Sequence, residues 1–380
     1  TGSNQDRGEI ITNYFGYDPR CPYKKGGKIP STQYRRDLNK SKRLFIFMNI
    51  EIYLDNNATT RCLESVISTV QKALGKEYGN PASTHERGYK RREELGAARA
   101  FIEDIFRAPP GAAVFTSGGT EANNLVLLGE FAAAKNLNKS PLRLITSRVE
   151  HSSVTNVAAK LALEGVTVEY LPNGPNGVIC LDALKSLLKV STTLVSLQWA
   201  NSETGVLQPI EEVANICRET YTPLHCDAAQ AVGKIKINLS ETPITYLTFT
   251  GHKIHAPPGV GVVLDPNRRL TQPVFHGGDQ ERGIRPGTQN LPAILGLKKA
   301  LEIRYAHFDA DFLHIKNLRD AFEQRLIKQV VGARVNGCHS SRVCNTSNIY
   351  FPRIEGAALV AQLGHEGILC SQTYACTSHL

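Results

Sequence analysis

No run of apolar residues in the 380-residue chain is long enough to span a bilayer. Leu44-Phe45-Ile46-Phe47 is far too short for that, and it follows a basic cluster without the rest of a secretory signal. Cysteine pairing motifs are also missing. The nine cysteines are irregularly spaced and form no CxxC pair, which argues against zinc and iron–sulfur ligation, so no metal site is expected. The count suits reduced thiols in the cytoplasm. There is no Walker loop, no GxGxxG fingerprint and no internal repeat. Most of the chain has little net charge. Residues 1–47 hold 10 Lys/Arg against 4 Asp/Glu and so carry +6 of the +9, leaving a nearly neutral body that is not expected to bind nucleic acid.

Methionine occurs once, at Met48. Residues 1–47 are rich in Gly, Asn, Lys and Arg and lack helical or strand periodicity. They read as a leader, an upstream extension or an unstructured arm, with a basic nucleic-acid-binding arm as the functional alternative. From Tyr53 the pattern becomes regular. Helices are expected near 63–75, 84–106, 121–135, 152–163, 181–189, 209–220 and 291–306. Strands are expected at 114–116, 142–146, 166–170, 193–197, 224–226, 246–249 and 259–264. Alternation of this kind predicts an α/β fold with a mostly parallel sheet and helices on both faces. Arg87, Lys90, Arg91 and Arg92 read as solvated charges on the second helix. After about 310, a helix over 313–329, a strand over 346–351 and a helix near 355–364 suggest a smaller α+β domain.

Several loops carry groups with chemical potential. Thr248-Phe249-Thr250-Gly251-His252-Lys253 is a strand running into a turn that ends on an amine. A lysine there can form a Schiff base, and Asp227, at the end of another strand, can partner a ring nitrogen. Gln230 lies near Asp227 and can donate to a ring oxygen. Ser117-Gly118-Gly119-Thr120 joins a strand to a helix N-terminus, where small residues and the helix dipole favour phosphate. His151 follows a strand and can stack on a flat ring, or simply cap the next helix. Asn201 opens the polar loop Asn201-Ser202-Glu203-Thr204-Gly205 at a strand's carboxyl end, where ligands of α/β proteins bind. Cys376 sits in Tyr374-Ala375-Cys376-Thr377-Ser378, either a nucleophile on a mobile loop or an incidental thiol.

Taken in order, the pieces point further. Asp55-Asn56-Asn57-Ala58-Thr59-Thr60, Gly79-Asn80-Pro81-Ala82-Ser83, Thr116-Ser117-Gly118-Gly119-Thr120-Glu121-Ala122-Asn123-Asn124, Glu150-His151, Asn201-Ser202-Glu203-Thr204-Gly205, Asp227-Ala228-Ala229-Gln230, Gly251-His252-Lys253, Gly277-Gly278-Asp279-Gln280-Glu281 and Arg285-Pro286-Gly287-Thr288-Gln289-Asn290 form one series. From about residue 52 to 380, the chain closely resembles cysteine desulfurases of the NifS/IscS type. The resemblance implies a fold-type I transferase dependent on pyridoxal 5'-phosphate, with a sheet of the seven-stranded type. It implies a large domain over 66–309 and a small domain made of 48–65 and 310–380.

The site roles implied by the resemblance are specific. Lys253 would carry the cofactor and His151 would stack on its ring. Asp227 would pair with the pyridinium nitrogen and Gln230 with the ring oxygen. Gly119, Thr120, Thr250 and His252 would line the phosphate site, and Thr288 would reach the phosphate of a partner subunit in a homodimer. Asn201 would face the ring oxygen and substrate. Cys376 would take sulfur from L-cysteine and pass it to an acceptor protein, such as an iron–sulfur scaffold, a tRNA-thiolation enzyme or a DNA-modification enzyme. Two departures stand out. The family continues beyond the cysteine loop, with an arginine that grips the substrate carboxylate, whereas this sequence ends four residues after Cys376. Cys370-Ser371-Gln372-Thr373-Tyr374 also replaces the small Ser/Gly-rich run usual there. A selenocysteine lyase, another lyase or aminotransferase with the same cofactor, and a cofactor-binding chain without turnover are the alternatives.

Overall fold

The computed structural model describes residues 10–14 and 51–372. In chain order the elements are β1 (Ile10–Tyr14), β2 (Ile52–Tyr53), α1 (Glu64–Leu74), α2 (Glu86–Ile105), β3 (Ala113–Thr116), α3 (Gly119–Asn136), β4 (Arg143–Ser147), α4 (Ser152–Leu163) and β5 (Thr167–Leu171). They continue with α5 (Leu181–Leu187), β6 (Leu194–Gln198), α6 (Ile210–Glu219), β7 (Leu224–Asp227), β8 (Tyr246–Thr250), β9 (Gly261–Leu264), α7 (Leu291–Ala306) and α8 (Phe308–Gln329). The last are β10 (Arg334–Val335), β11 (Thr346–Tyr350), α9 (Gly356–His365), β12 (Ile368–Leu369) and β13 (Ser371–Gln372).

The large sheet has seven strands in the order β3-β9-β8-β7-β6-β4-β5. All are parallel except β9, which runs against both neighbours. Its strands read as apolar runs because both faces are covered. Side chains alternate between the faces. Phe115, Ile145, Val195, Leu247 and Val262 pack into the core shared with α1, α2, α6 and α7. Their neighbours Val114, Leu144, Leu194, Tyr246 and Val263 enter the core shared with α3 and α4. Truncating such a side chain to alanine costs about 2–5 kcal/mol in comparable cores. The parallel strands therefore form a stiff platform whose carboxyl ends all point one way.

A smaller lobe is assembled from distant stretches. β10, β11, β1 and β13 form one sheet, and β12 pairs in parallel with β2. Ala333, Val335, Ile349, Phe351 and Cys370 are its buried centre. β1 falls within the stretch read from sequence as a leader, and it pairs antiparallel with β11, from Ile10↔Tyr350 to Tyr14↔Thr346. The helix expected from 313 begins five residues earlier, at Phe308. Phe308 is buried, and Asp309 and Asp311 place negative charge on the first turn, where the helix dipole favours it.

One reading of the sequence is corrected. Arg91 is not a solvated charge but is 2% exposed. Its guanidinium donates to the Glu77 carbonyl at 2.5 Å and to Glu94 Oε1 at 2.7 Å. The loop before α2 folds back onto the helix, and a Cβ on Gly79 would lie 2.9 Å from Arg91 Cγ. Glycine there lets the loop close over the arginine stem. Arg87, Lys90 and Arg92 are exposed, as expected. Among the described residues, no helix is long and apolar enough to cross a membrane.

Candidate active site

β7 and β8 end side by side, with Asp227 in register with Thr248. Beyond Thr250 the chain makes a single 3-10 turn, Gly251–Lys253, which lifts Lys253 off the sheet. Gly251 is needed for packing, since a Cβ would lie 2.8 Å from Val260 Cγ1 and 3.1 Å from Ala256 Cβ. Lys253 is half-buried, and its Nζ donates to the Ala58 carbonyl at 2.7 Å and to the Asn57 carbonyl. The Asp55–Thr60 turn thus lies against the lysine.

Asp227 is 6% exposed and takes part in no ion pair among the described residues. Neutral donors hold it: Ala229 N–H donates to Oδ1 at 2.9 Å and Asn123 Nδ2 to Oδ2 at 2.8 Å. Asn123 is itself oriented from below. Thr248 Oγ1 donates to Asn123 Oδ1 at 2.6 Å, and His225 Nε2 lies 3.0 Å from Thr248 Oγ1. Ser196 Oγ lies 2.8 Å from His225 Nδ1. Because Thr248 gives its only proton to Asn123, it must accept from His225 Nε2–H. His225 Nδ1 is then the acceptor from Ser196. Burial pulls His225 down to about 4, against an opposing pull from Asp227, so the ring is neutral near pH 7.

The same asparagine reaches His151. Asn123 Nδ2 also donates to Ser153 Oγ at 2.8 Å, and Ser153 Oγ is 2.8 Å from His151 Nδ1. Ser153 N–H adds a second bond to that nitrogen at 3.1 Å, making His151 the N-cap of α4. With Nδ1 accepting, the neutral His151 carries its proton on Nε2, on an exposed ring. Capping and availability to a ligand are therefore compatible. Glu150, its neighbour, is buried; burial and the nearby Asp227 push its carboxyl up to about 8, against a 2.5 Å hydrogen bond from Ser147.

The Ser117–Thr120 turn, where phosphate is expected, leads into the start of α3. Gly118 caps α3, and the helix's first-turn N–H groups open beside Thr250. Cβ atoms on Gly118 and Gly119 would meet only the Thr250 side chain, at 3.9 and 3.6 Å. β9 comes close behind: a Cβ on Gly261 would lie 2.6 Å from the Gly118 carbonyl carbon. Thr120 is exposed at the helix start and Thr250 is buried. His252 Nδ1 is 3.2 Å from Thr59 Oγ1. Burial, then Lys253 and His151, pull His252 down to about 4.

Other expected residues are more committed to the protein itself. Asn201 Oδ1 accepts from Glu203 N, Thr204 N and Thr204 Oγ1, and Asn201 Nδ2 donates to the Val149 carbonyl at 3.3 Å. Its oxygen is consumed by its own loop, which leaves an N–H to offer. Gln230 Nε2 donates to the Asn57 carbonyl at 3.1 Å. Thr288 is exposed on a loop tied down on both sides. On one side Arg285 pairs with Glu121 at 2.7 Å. On the other, the buried Glu281 accepts from Arg99, Phe115 N and Gln289. Glu281 and Arg282 adopt left-handed φ values of 48° and 60°, strain that this set of bonds holds in place. Cys376 lies outside the described residues.

Sequence reading did not single out Asn57, Asn123, Glu150, His225, Lys234 or Glu281 for a role. Asn57, Asn123, Glu150 and Glu281 stood inside the quoted motifs, so their types were visible. Their partners, up to 289 residues away in the case of Asn57 and Thr346, were not.

Comparison with known proteins gives a consistent answer. The family model for aminotransferase class-V matches residues 52–380. A cysteine desulfurase of Nostoc sp. is 40% identical over 327 residues, which is 86% of this chain and 81% of that protein. The cysteine desulfurase NifS of Azotobacter vinelandii is 38% identical over 329 residues, with the same two coverages. A solved structure described as a NifS-like protein superposes with a TM-score of 0.81 at 34% identity, covering 84% of this chain and 87% of that one.

Proposed function

The chain belongs to the aminotransferase class-V family and, within it, to the cysteine desulfurases of the NifS/IscS type; from that premise we propose that it uses pyridoxal 5'-phosphate to move sulfur from L-cysteine to Cys376. One observation carries this reading: a buried carboxylate with no ion-pair partner among the described residues ends the strand next to the one that presents Lys253. A bare buried carboxylate calls for a positive partner. The cofactor's protonated ring nitrogen fits that demand. The glycine turn at the start of α3, bordered by the Thr250 side chain alone where Cβ atoms would stand, fits its phosphate.

When bound, the cofactor supplies an electron sink for the pair released at the substrate's α-carbon. Asp227 keeps negative charge at the ring nitrogen, and Gln230 donates an N–H to the ring oxygen. Gly119, Thr120, Thr250 and His252 hold the phosphate, with Thr288 reaching the site of a partner subunit in a homodimer. Asn201 offers its remaining N–H to the ring oxygen and substrate. His151 stacks on the ring and offers the proton on Nε2. Lys253 Nζ would hold the cofactor and, when its amine is free, would take the α-proton of L-cysteine. Cys376 Sγ then attacks the substrate sulfur. The S–S bond forms as the Cβ–S bond breaks, the electron pair goes to carbon, and a proton completes L-alanine. The products are L-alanine and the Cys376 persulfide, and no external oxidant is needed.

The remaining assignments follow from the same premise. A large domain over 66–309 takes in the seven-stranded sheet, a small domain of 48–65 with 310–380 takes in the β2–β12 pair and three strands of the four-stranded sheet, and the pairing of Ile10–Tyr14 with β11 argues for counting those five residues with the small domain. The persulfide passes to an acceptor protein, either an iron–sulfur scaffold or a thiolation enzyme. Free thiols at the described cysteines support a cytoplasmic location. The test is mass spectrometry of Cys376 after incubation with L-cysteine and cofactor. A gain of one sulfur with equimolar alanine is expected. Cys376→Ser should keep the cofactor and lose the transfer, and alanine formation without sulfur on Cys376 would sink the assignment of the acceptor thiol.

A further inference from the structure

Four residues after Gln230 lies a second lysine that the mechanism above does not use. Lys234 is 7% exposed and belongs to no ion pair among the described residues. Its Nζ donates to Gln230 Oε1 at 2.5 Å and to Asn57 Oδ1 at 3.3 Å. The charged and titratable groups facing it are Lys253, Arg304, His255 and the Cys344 thiol. Arg304 is already paired with Asp311 at 2.9 Å. A buried ammonium with only neutral acceptors is costly, and proteins retain such groups where they serve a purpose.

Two consequences follow from this geometry. The amide of Gln230 has one allowed orientation. Flipping it would turn its NH2 against the Lys234 amine, so the oxygen stays on Lys234 while Nε2 faces the Asn57 carbonyl and, with its second N–H, the site. Asn57 also joins the two amines. Its side-chain oxygen accepts from Lys234 and its backbone oxygen from Lys253. Asp55 is the carboxylate whose charge is coupled to Lys253 on the other side.

We propose that Lys234 is a positioning residue of the cofactor site: it locks Gln230 as an N–H donor toward the cofactor's ring oxygen and places a second positive charge behind Lys253. The proposal rests on the assignment of this site to pyridoxal phosphate. Burial, then the charge of Lys253, pull the Lys234 amine down to about 7, so its charge changes within the working range of the protein. A positive neighbour lowers the pKa of an amine. Removing it should therefore raise the pH midpoint of any titration centred on Lys253.

The experiment compares wild type with Lys234→Met, Gln230→Leu and the double variant, by equilibrium binding of pyridoxal phosphate and by pH titration of the bound cofactor's visible band. Lys234→Met should weaken binding by about tenfold, the effect of one lost buried hydrogen bond. It should also move the band's midpoint upward. In the Gln230→Leu background the binding effect should vanish while the shift in midpoint persists, a pattern that a general loss of packing would not give. Should Lys234→Met fail to fold, Lys234→Gln keeps a donor without the charge, and only the midpoint should move. Unchanged affinity and midpoint in the variants would overturn the proposal. Lys253→Ala separates the two layers. If wild type takes up no cofactor dependent on Lys253, the assignment of the site fails and this inference falls with it.

Discussion

On the Asp227 side of the site, buried polar groups are chained in one direction. Ser196 gives to His225, His225 to Thr248, Thr248 to Asn123, and Asn123 to Asp227 and, through Ser153, to His151. On the Lys253 side, two amines converge on one asparagine, and each is held by its own neutral carbonyl oxygens. The first side accumulates donors around a negative charge without cancelling it. The second crowds positive charges together, which adds to burial in making the Lys234 amine easier to deprotonate. A site that must hold a cation at one end and free an amine at the other needs both arrangements. The sheet supplies them on adjacent strands.

The comparison can be broken most severely at the amine. Lys253→Ala should remove the lysine-dependent visible band and lower alanine formation by roughly three orders of magnitude or more, as expected for loss of a covalent anchor that is also the base. Alanine release assayed with absorbance spectra checks both. The acid side should show itself in pH dependence. His225 has its folded pKa depressed to about 4, so its contribution to stability is present above its unfolded value near 6.5 and is lost as pH falls toward 4. The loss attributable to it is about 3 kcal/mol. Denaturant unfolding at several pH values should show that slope, and His225→Gln should flatten it. A parallel set in His252→Ala removes the contribution of a second depressed histidine, and His255, also pulled down by burial, is left in both sets.

Asn123→Asp should have a smaller effect. It replaces a donor with a second carboxylate beside Asp227, and the pair retains a proton. Cofactor affinity at pH 7 should fall about tenfold, one hydrogen bond to a charged group, and recover as pH rises. An affinity independent of pH would remove the role given to that amide. Smallest of all, Thr59→Ala deletes the hydroxyl next to His252 Nδ1, a half-exposed contact. A change in affinity below about threefold is expected from binding isotherms, within the range of one weak hydrogen bond.

Much of this arrangement was legible in the sequence. The helices Ser152–Leu163 and Leu291–Ala306 fall on their expected bounds, the alternating pattern led to a mostly parallel sheet, and the seven strands were implied by the family resemblance. Asp227, Lys253 and the Gly118–Gly119 turn were visible because strand-to-loop boundaries concentrate them where α/β proteins bind ligands. Arg91 was misread because burial of a charge depends on a loop folding back onto its helix, and no local pattern encodes that. His225 and Lys234 escaped notice for a related reason. A histidine in an apolar strand and a lysine after a turn acquire meaning only from partners such as Thr248 and Asn57, which come from other parts of the chain.

The small lobe has a kinetic consequence. β2 pairs with β12, joining Ile52 to Ile368, and almost the whole large sheet is made of the chain between them. Contacts of such sequence separation form late, because a long loop must close before they return any energy. During synthesis, the strands that carry Asp227 and Lys253 can assemble while the closing segment is still unmade, since domains fold as units from the N-terminal side. The Asp55–Thr60 turn has by then long emerged and can already rest on Lys253. The order of assembly is therefore platform first, amine clamp second and lobe last. The carboxylate and the amine stand ready on a folded sheet before the lobe beside them has closed.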